Sequence, residues 1–134
     1  MHRPDERSDA RERALYLLYE AHSKGIEPAA TIDLQVVEPD QLTQELVLGV
    51  GSSAPALDER IAAKAKGWTL ARMPVLDLNV MRLGVFELLE RPDVPTAVVL
   101  NEAVELAKRF STDDSGRFVN GVLAAVATEV RPAE

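Results

Sequence analysis

The sequence predicts an all-α protein, a compact bundle of about six or seven helices joined by short loops. Apolar residues recur at intervals of three and four along most of the 134 residues, as in amphipathic helices, and no useful length alternates as a strand would. Only six residues are aromatic in a chain that is 46% hydrophobic. The core must therefore be built mostly from Leu, Val and Ala.

The first half of the chain contains three predicted helices. An N-terminal helix has an apolar stripe and stops at Gly25, since glycine commonly ends helices. Its stripe consists of Ala10, Ala14, Leu17, Leu18 and Ala21. After a segment that contains prolines, a second helix is predicted from about Gln41 to Val50. A third begins at Ser53-Ala54-Pro55, an N-cap with a proline in the first turn, and ends at Gly67.

The second half contains three further predicted helices. The first of them is capped by Asp77 and breaks at Arg91-Pro92-Asp93. The next has Pro95 in its first turn. A polar turn from Ser111 to Gly116 precedes the last helix, which carries an apolar stripe. That stripe consists of Phe118, Val119, Val122, Leu123 and Val126.

Composition limits the class of protein. The chain has no cysteine, hence no disulfide or thiolate metal site, and no stretch approaches the ~20 apolar residues that span a bilayer. We therefore expect a cytoplasmic protein without membrane contact. Its length suits one domain, 1–134, with two helical subdomains, 1–67 and 68–134, as the alternative.

The net charge of −7 is concentrated in one stretch. Between Gly25 and Glu59 the chain has seven acids and no Lys or Arg; removing these from the 22 acids leaves 15, equal to the 15 bases. A local basic patch is compatible with this balance, although charge alone does not predict one. The acidic stretch fits a basic partner and a solvated face equally well.

Signals for catalysis or metal binding are weak. The segment 49–54, GVGSSA, imitates a dinucleotide fingerprint, but no strands are predicted to complete a βαβ unit, so a turn between helices is favoured. His2 and His22 are too few and too distant for a metal site or a catalytic triad. Asp113 and Asp114 fit a helix start better than acid–base catalysis.

Two groups of residues have the chemistry for nucleic-acid contact. Arg3, Arg7 and Arg11 are four residues apart and would share one helix face, where they suit phosphate, although the interleaved acids also fit a solvated stripe. Arg117 and Phe118 place a cation beside an aromatic ring near a helix start, which suits phosphate and an unstacked base. Periodicity alone favours Phe118 as the start of an apolar stripe.

Four groups of motifs occur in a fixed order along the chain. RSDARERA at 7–14 precedes Leu18-Tyr19; Trp68 and Arg72 precede DLNVMRLGVFEL at 77–88; VPTAVVLNEAVELAKRF at 94–110 precedes DDSGRFVNGVL at 113–123. In these motifs the sequence closely resembles the NusB family, over nearly the full chain. The blocks LNEAVELAKRF and FVNGVL are the most specific.

The resemblance implies a two-part all-helical fold without catalytic activity or cofactor. It also implies the partners of that family, which are the single-stranded boxA element of nascent ribosomal RNA and NusE, a ribosomal protein that doubles as a transcription factor. The pair helps RNA polymerase, within an antitermination complex, to read through terminators and supports rRNA synthesis. We therefore expect a transcription antitermination factor.

The resemblance also assigns roles to individual residues. The residues that match the family's RNA-contacting positions are Arg7, Arg11, Asp114, Arg117 and Phe118. The residues that match its NusE-facing surface are Tyr19 and Asp77. Asp77 thus has two compatible roles, as a helix cap and as a partner contact.

Two other hypotheses stay open. A NusB-like domain also occurs at the front of some RNA cytosine methyltransferases, and a longer chain with a methyltransferase core would revive that alternative. The third hypothesis is a homodimer that covers the RNA surface, as in some relatives. Light scattering with and without NusE separates the self-associated state from the RNA-reading one.

We predict weaker RNA affinity for the isolated protein than for an arginine-rich relative, because its N-terminal arginines are interrupted. Family members often begin with consecutive arginines, whereas Ser8 and Asp9 separate them here, and residues 1–13 carry four bases and four acids. Fewer phosphates are then neutralised than by an arginine-rich relative. Filter binding with boxA RNA measures the affinity, and nanomolar binding by this protein alone would contradict the prediction.

Overall fold

The computed structural model describes residues 6–132, and within this range the chain forms six α-helices, one 3-10 turn and no strand. The helices are α1 (Glu6–Lys24), α2 (Pro28–Asp33), α3 (Gln41–Lys64), α4 (Val75–Glu90), α5 (Thr96–Phe110) and α6 (Asp113–Val130). The 3-10 turn, Leu70–Arg72, lies between α3 and α4. The predicted all-α fold is confirmed. None of these helices is long and apolar enough to cross a membrane.

Helix α4 lies at the centre and packs against α1, α3, α5 and α6. It is buried around most of its circumference, because Val80, Met81, Leu83, Gly84 and Val85 are all buried, and only the face that carries Leu78, Arg82 and Phe86 is partly open to solvent. A helix with buried residues on so many faces is stable only when several neighbours cover it. The fully buried side chains of those neighbours include Leu15, Leu46, Ile61, Val99 and Leu123.

Helix α1 ends at Gly25, as its sequence predicts. Gly25 has a φ of 66°, in the left-handed region that other residues disfavour. The Ile26 N–H donates to the Ala21 carbonyl at 3.0 Å, and the Gly25 N–H donates to the His22 carbonyl at 3.2 Å. These two bonds form a Schellman cap, which satisfies carbonyls that the end of α1 would otherwise leave open.

The helix break predicted after Val50 is wrong, because α3 continues to Lys64 and contains Pro55. Proline inside a helix removes one backbone hydrogen bond, and each glycine costs about 1 kcal/mol of helix propensity. Burial of Leu57 and Ile61 on the same helix offsets these local costs, since both side chains are almost fully removed from water. The fingerprint-like segment is therefore helical, and residues 6–132 contain no strand to complete a dinucleotide site.

Packing explains the glycines in the middle of α3. A Cβ on Gly49 would overlap the Phe86 ring of α4. A Cβ on Gly51 would lie 3.1 Å from the Pro28 side chain of α2, which is tighter than ordinary van der Waals contact. Glycine thus lets α2 and α4 approach α3 closely, and this need arises from residues that are distant in sequence.

Two helices begin earlier than predicted. Helix α4 begins at Val75, so Asp77 lies in its first turn and is not its N-cap. Helix α6 begins directly after Thr112, whose hydroxyl oxygen accepts a hydrogen bond from the Ser115 N–H at 3.0 Å, a typical N-cap. The predicted polar turn is correspondingly shorter, and Phe118 lies in the second turn of α6.

Replacing Gly49 with alanine should destabilise the protein by about 1–3 kcal/mol, because the new methyl group overpacks against Phe86. Urea unfolding followed by circular dichroism measures the change. The matched control is Gly121→Ala in α6, where no atom lies within 4 Å of the added Cβ. There we expect a gain of about 0.5–1 kcal/mol, since alanine favours a helix. Equal stability of the two variants would show that Phe86 moves aside without cost.

Candidate nucleic-acid and partner interfaces

The N-terminal end of α6 carries exposed residues that the sequence associates with RNA. Asp114 and Arg117 are 87% and 74% exposed, and they form an ion pair within one helical turn. Such a surface pair contributes only about 0–1 kcal/mol, so a phosphate can replace Asp114 as the partner of Arg117. Phe118 is partly buried, and its ring centroid lies 6.0 Å from that of the half-exposed Trp68. This end of α6 therefore combines a cation with two neighbouring aromatic rings.

A buried hydrogen bond holds this end of α6 against α4. The Ser115 hydroxyl donates to Asp77 Oδ2 at 2.8 Å, and Asp77 is only 3% exposed. Both residues lie in the first turns of their helices, so the carboxylate is close to the positive ends of two helix dipoles. A direct contact of Asp77 with NusE does not fit this buried side chain, whose geometry is that of a positioning residue.

The structure separates the two N-terminal arginines expected to contact RNA. Arg7 is exposed in the first turn of α1, whereas Arg11 is 3% exposed. The Arg11 guanidinium donates from Nε and Nη2 to the Glu87 carboxylate of α4, each at 2.8 Å. Its Nη1 lies 3.5 Å from Glu102 of α5. The expectation that Arg11 contacts RNA does not fit this geometry, because a buried charge must keep its partner.

Two cations at the C-terminal end of α5 were not among the RNA-binding candidates that the sequence suggested. Lys108 and Arg109 are exposed in the last turn of this helix, directly before the start of α6. Arg109 pairs with Glu12 of α1 at 2.6 Å, and the Phe110 ring meets the Tyr16 ring edge-on at 5.4 Å. Arg109 thus lies against α1, whereas the Lys108 side chain lies beside Gly116 of α6. Their only signal in the sequence is a position near a helix C-terminus, where cations are favoured for structural reasons alone.

A second candidate surface lies beside Tyr19, which is 46% exposed near the end of α1. His22, one turn further along, lines a cavity of about 300 Å³ together with Met73 and Leu78. Tyr19 and Asp77, the two residues expected to face NusE, do not line this cavity themselves, although Tyr19 lies one turn before His22 and Asp77 directly precedes Leu78. A mostly apolar cavity with polar groups at its edge is the common form of a binding site.

Metal-binding geometry is absent from the part of the chain that the structure describes, where no group of three or more His, Asp or Glu side chains could hold an ion. His22 lies in the last turn of α1, where positive charge is favoured near the negative end of the helix dipole. His2 and Arg3, both considered in the sequence, lie outside the described residues.

Comparison with known sequences extends the resemblance seen in the motifs. Residues 8–128 match the model of the NusB family. The transcription antitermination protein NusB of Citrifermentans bemidjiense is 43% identical over 145 aligned residues, which cover 96% of this chain and 98% of that protein.

Two solved structures have a similar fold. A structure of NusB from T. maritima has a TM-score of 0.84 at 29% identity and covers 96% of this chain and 94% of that one. A structure of the antitermination factors NusB and NusE in complex with dsRNA contains a chain with a TM-score of 0.79 at 25% identity. That match covers 92% of this chain and 96% of the other.

Replacing Arg11 with methionine should destabilise the protein by about 3–5 kcal/mol, because Glu87 would remain as a buried charge without its partner. The double variant Arg11→Met, Glu87→Met should recover most of this loss, since an apolar pair of similar volume buries neither charge. Urea unfolding measures both free energies.

The control for this experiment is Arg91→Met, which removes a pair with Glu45 whose side chains are 26% and 44% exposed. Its cost should not exceed about 1 kcal/mol, because exposed pairs contribute little. The opposite result would show that Arg11 contacts RNA and does not support the fold. In that case Arg11→Met is as stable as the unsubstituted protein, and the double variant loses RNA affinity in filter binding.

Proposed function

The chain belongs to the NusB family, and on that premise we propose that it is a transcription antitermination factor that binds RNA together with NusE. The observation that carries the proposal is the family match over residues 8–128. The relative from C. bemidjiense is named as an antitermination protein, and the solved complex unites NusB, NusE and RNA. In this role the RNA is the boxA element of rRNA transcripts, and the complex supports rRNA synthesis by RNA polymerase.

The N-terminal end of α6 has side chains that can bind RNA. Phe118 and Trp68 offer rings to an unstacked base, and stacking contributes about 1–3 kcal/mol per base. Exposed cations such as Arg117, Lys108 and Arg7 each add a salt-dependent increment, with a slope of about −0.7 per phosphate of a single strand. A site with a few cations and one or two rings binds weakly alone, so a partner that adds surface raises the affinity.

The cavity beside Tyr19 is the proposed contact with NusE. Tyr19 offers an exposed ring on α1, and Met73 and Leu78 offer apolar surface on the other side. Asp77 supports both surfaces from inside, because its helix lines the cavity and its hydrogen bond to Ser115 positions the start of α6. NusE and RNA would then bind to two surfaces that are connected by the buried hydrogen bond between Asp77 and Ser115.

We also propose that the role is non-catalytic and is carried out in the cytoplasm, where bacterial transcripts are made. The exposed candidate residues are cations, aromatic rings and the carboxylate of Asp114, whose ion pair with Arg117 is suited to exchange for a phosphate contact. One apolar core includes side chains from both halves of the chain, such as Leu46 and Leu123, which supports a single domain over residues 1–134.

Replacing Arg117 with alanine should weaken RNA binding about tenfold, because a charge-assisted contact contributes about 1.5 kcal/mol. The salt slope should decrease by about 0.7, which corresponds to one phosphate contact. Fluorescence anisotropy of labelled boxA RNA, titrated in the presence of NusE at two salt concentrations, measures both. The matched control is Arg60→Ala, which removes a cation of α3 far from the start of α6. Arg60 lies one turn before Lys64, and Lys64 pairs with Glu129 near the C-terminal end of α6.

The same titration without NusE, and with single-stranded and double-stranded boxA RNA, tests the assembly itself. Binding that strengthens with NusE, weakens with salt and decreases in Phe118→Ala supports the proposal. Phe118 also packs on the core, so the unfolding curve of that variant is recorded as a control. A folded protein that binds neither RNA form, and that light scattering shows to be a dimer, would overturn the proposal in favour of self-association.

A further inference from the structure

The loop between α2 and α3 presents three aliphatic side chains to solvent. Leu34 and Val37 are 57% and 69% exposed, and Val36 is fully exposed. Single exposed apolar residues are common on protein surfaces, but three within four positions form a concentrated patch of the kind that marks interaction sites. Residues 33–38, with the sequence DLQVVE, are called the aliphatic loop below.

The backbone of the aliphatic loop is anchored at several points. Arg13 of α1 donates from Nη2 to the Val37 carbonyl at 2.6 Å, and the Gln35 side chain donates to the Thr31 carbonyl at 2.9 Å. The Asp40 side chain caps the start of α3 directly after the loop. The loop is therefore held in one conformation while its aliphatic side chains remain in solvent, and such preorganisation lowers the entropy cost of binding.

Acidic residues flank the aliphatic side chains on both sides. Asp33 and Glu38 are exposed, and among residues 6–132 their carboxylates take part in no hydrogen bond or ion pair. Arg13 brings one positive charge to the loop backbone, where it donates to the Val37 carbonyl, and Lys24 of α1 pairs with Glu20 at 2.9 Å. The loop is thus an apolar patch between two negative charges.

We propose that the aliphatic loop docks a segment of another protein that combines Lys or Arg with aliphatic side chains. Residues 25–59, which include the loop, carry seven acids and no Lys or Arg. Within the part of the chain that the structure describes, only Glu45 and Asp58 of these acids form ion pairs, with Arg91 and Arg82, so a basic segment still meets a complementary charge. RNA is a polyanion and is repelled by this stretch. A second copy of the chain is disfavoured, because a two-fold contact would place the acidic patch against itself.

This docking site is separate from the proposed RNA surface and does not depend on it. On the exposed face of α1, Arg13 contacts the loop, whereas the Tyr16 ring contacts Phe110 at the end of α5. The outer face of α1 therefore lies between the aliphatic loop and the start of α6. A protein bound at the loop would leave Arg117 and Phe118 accessible.

The test uses the full chain, labelled with ¹⁵N, and three synthetic peptides of equal length. One peptide combines lysine with leucine and valine, the second replaces its lysines with glutamates, and the third replaces its aliphatic residues with serines. Amide chemical shifts are followed at peptide concentrations up to roughly 1 mM, where weak complexes are still detected. We expect the lysine–aliphatic peptide alone to shift residues 33–38 and Arg13, with an effect that decreases as salt is raised.

Variants then separate the two parts of the site. Val36→Ser with Val37→Ser should weaken binding at least about tenfold, and Asp33→Asn with Glu38→Gln should weaken it and remove the salt dependence. The matched control is Val98→Ser with Asp93→Asn, which removes an exposed aliphatic side chain and an exposed acid elsewhere and should change nothing.

Four outcomes would overturn the proposal. They are the absence of shifts, equal binding of the glutamate peptide, shifts located outside the loop, and the same loop shifts on addition of boxA RNA. Light scattering tests self-association. If the protein is a dimer and the double variant Val36→Ser, Val37→Ser is a monomer, the loop binds a second copy of the chain, and the proposal is overturned as well. None of these results would affect the RNA titrations.

Discussion

The burial of α4 between four neighbouring helices is the constraint on which the rest of the structure depends. Polar groups that enter an apolar interior require partners there, and three polar side chains of α4 are each matched by a neighbouring helix, whereas Asn79 accepts a hydrogen bond from Arg82 of α4 itself. The pairs are Glu87 with Arg11 of α1, Arg82 with Asp58 of α3, and Asp77 with Ser115 of α6. The positions of α1, α3 and α6 relative to one another therefore follow from the polar groups of a single helix.

Helix α6 is joined to α4 at both of its ends, which explains how its exposed residues keep a defined geometry. Ser115 binds Asp77 at the start. Arg131, directly after the end, donates to four carbonyls at the C-terminus of α4 and in the following loop, and two of these, of Glu87 and Arg91, also accept a backbone N–H. These are the carbonyls of Glu87, Leu88, Arg91 and Val94, at 2.7 to 3.2 Å. The cation–aromatic surface of α6 is thus held on α4, the helix that also contributes Leu78 and Arg82 to the cavity beside Tyr19.

Most of the fold could be predicted from local patterns. Apolar periodicity identified the all-α class, and Gly25 marked the end of α1 because a left-handed cap residue is a local requirement. The prediction failed in α3, where glycine and proline suggested a break. There Gly49 and Gly51 make room for Phe86 and Pro28, so the cause of the pattern lies in helices that the local sequence does not contain.

The sequence by itself determined the helical class, the charge distribution and, through its motifs, the family and the adjacent candidate pair Arg117 and Phe118. Only the tertiary structure decided which charged residues are exposed and can contact a partner. Arg11 and Arg7 look alike in sequence, yet Arg11 is buried against Glu87, 76 residues away, while Arg7 is exposed. The physical reason is that helical periodicity indicates only which face of a helix is apolar. Whether a charged side chain is buried or exposed depends on whether a helix distant in sequence packs there and places a partner within hydrogen-bond distance.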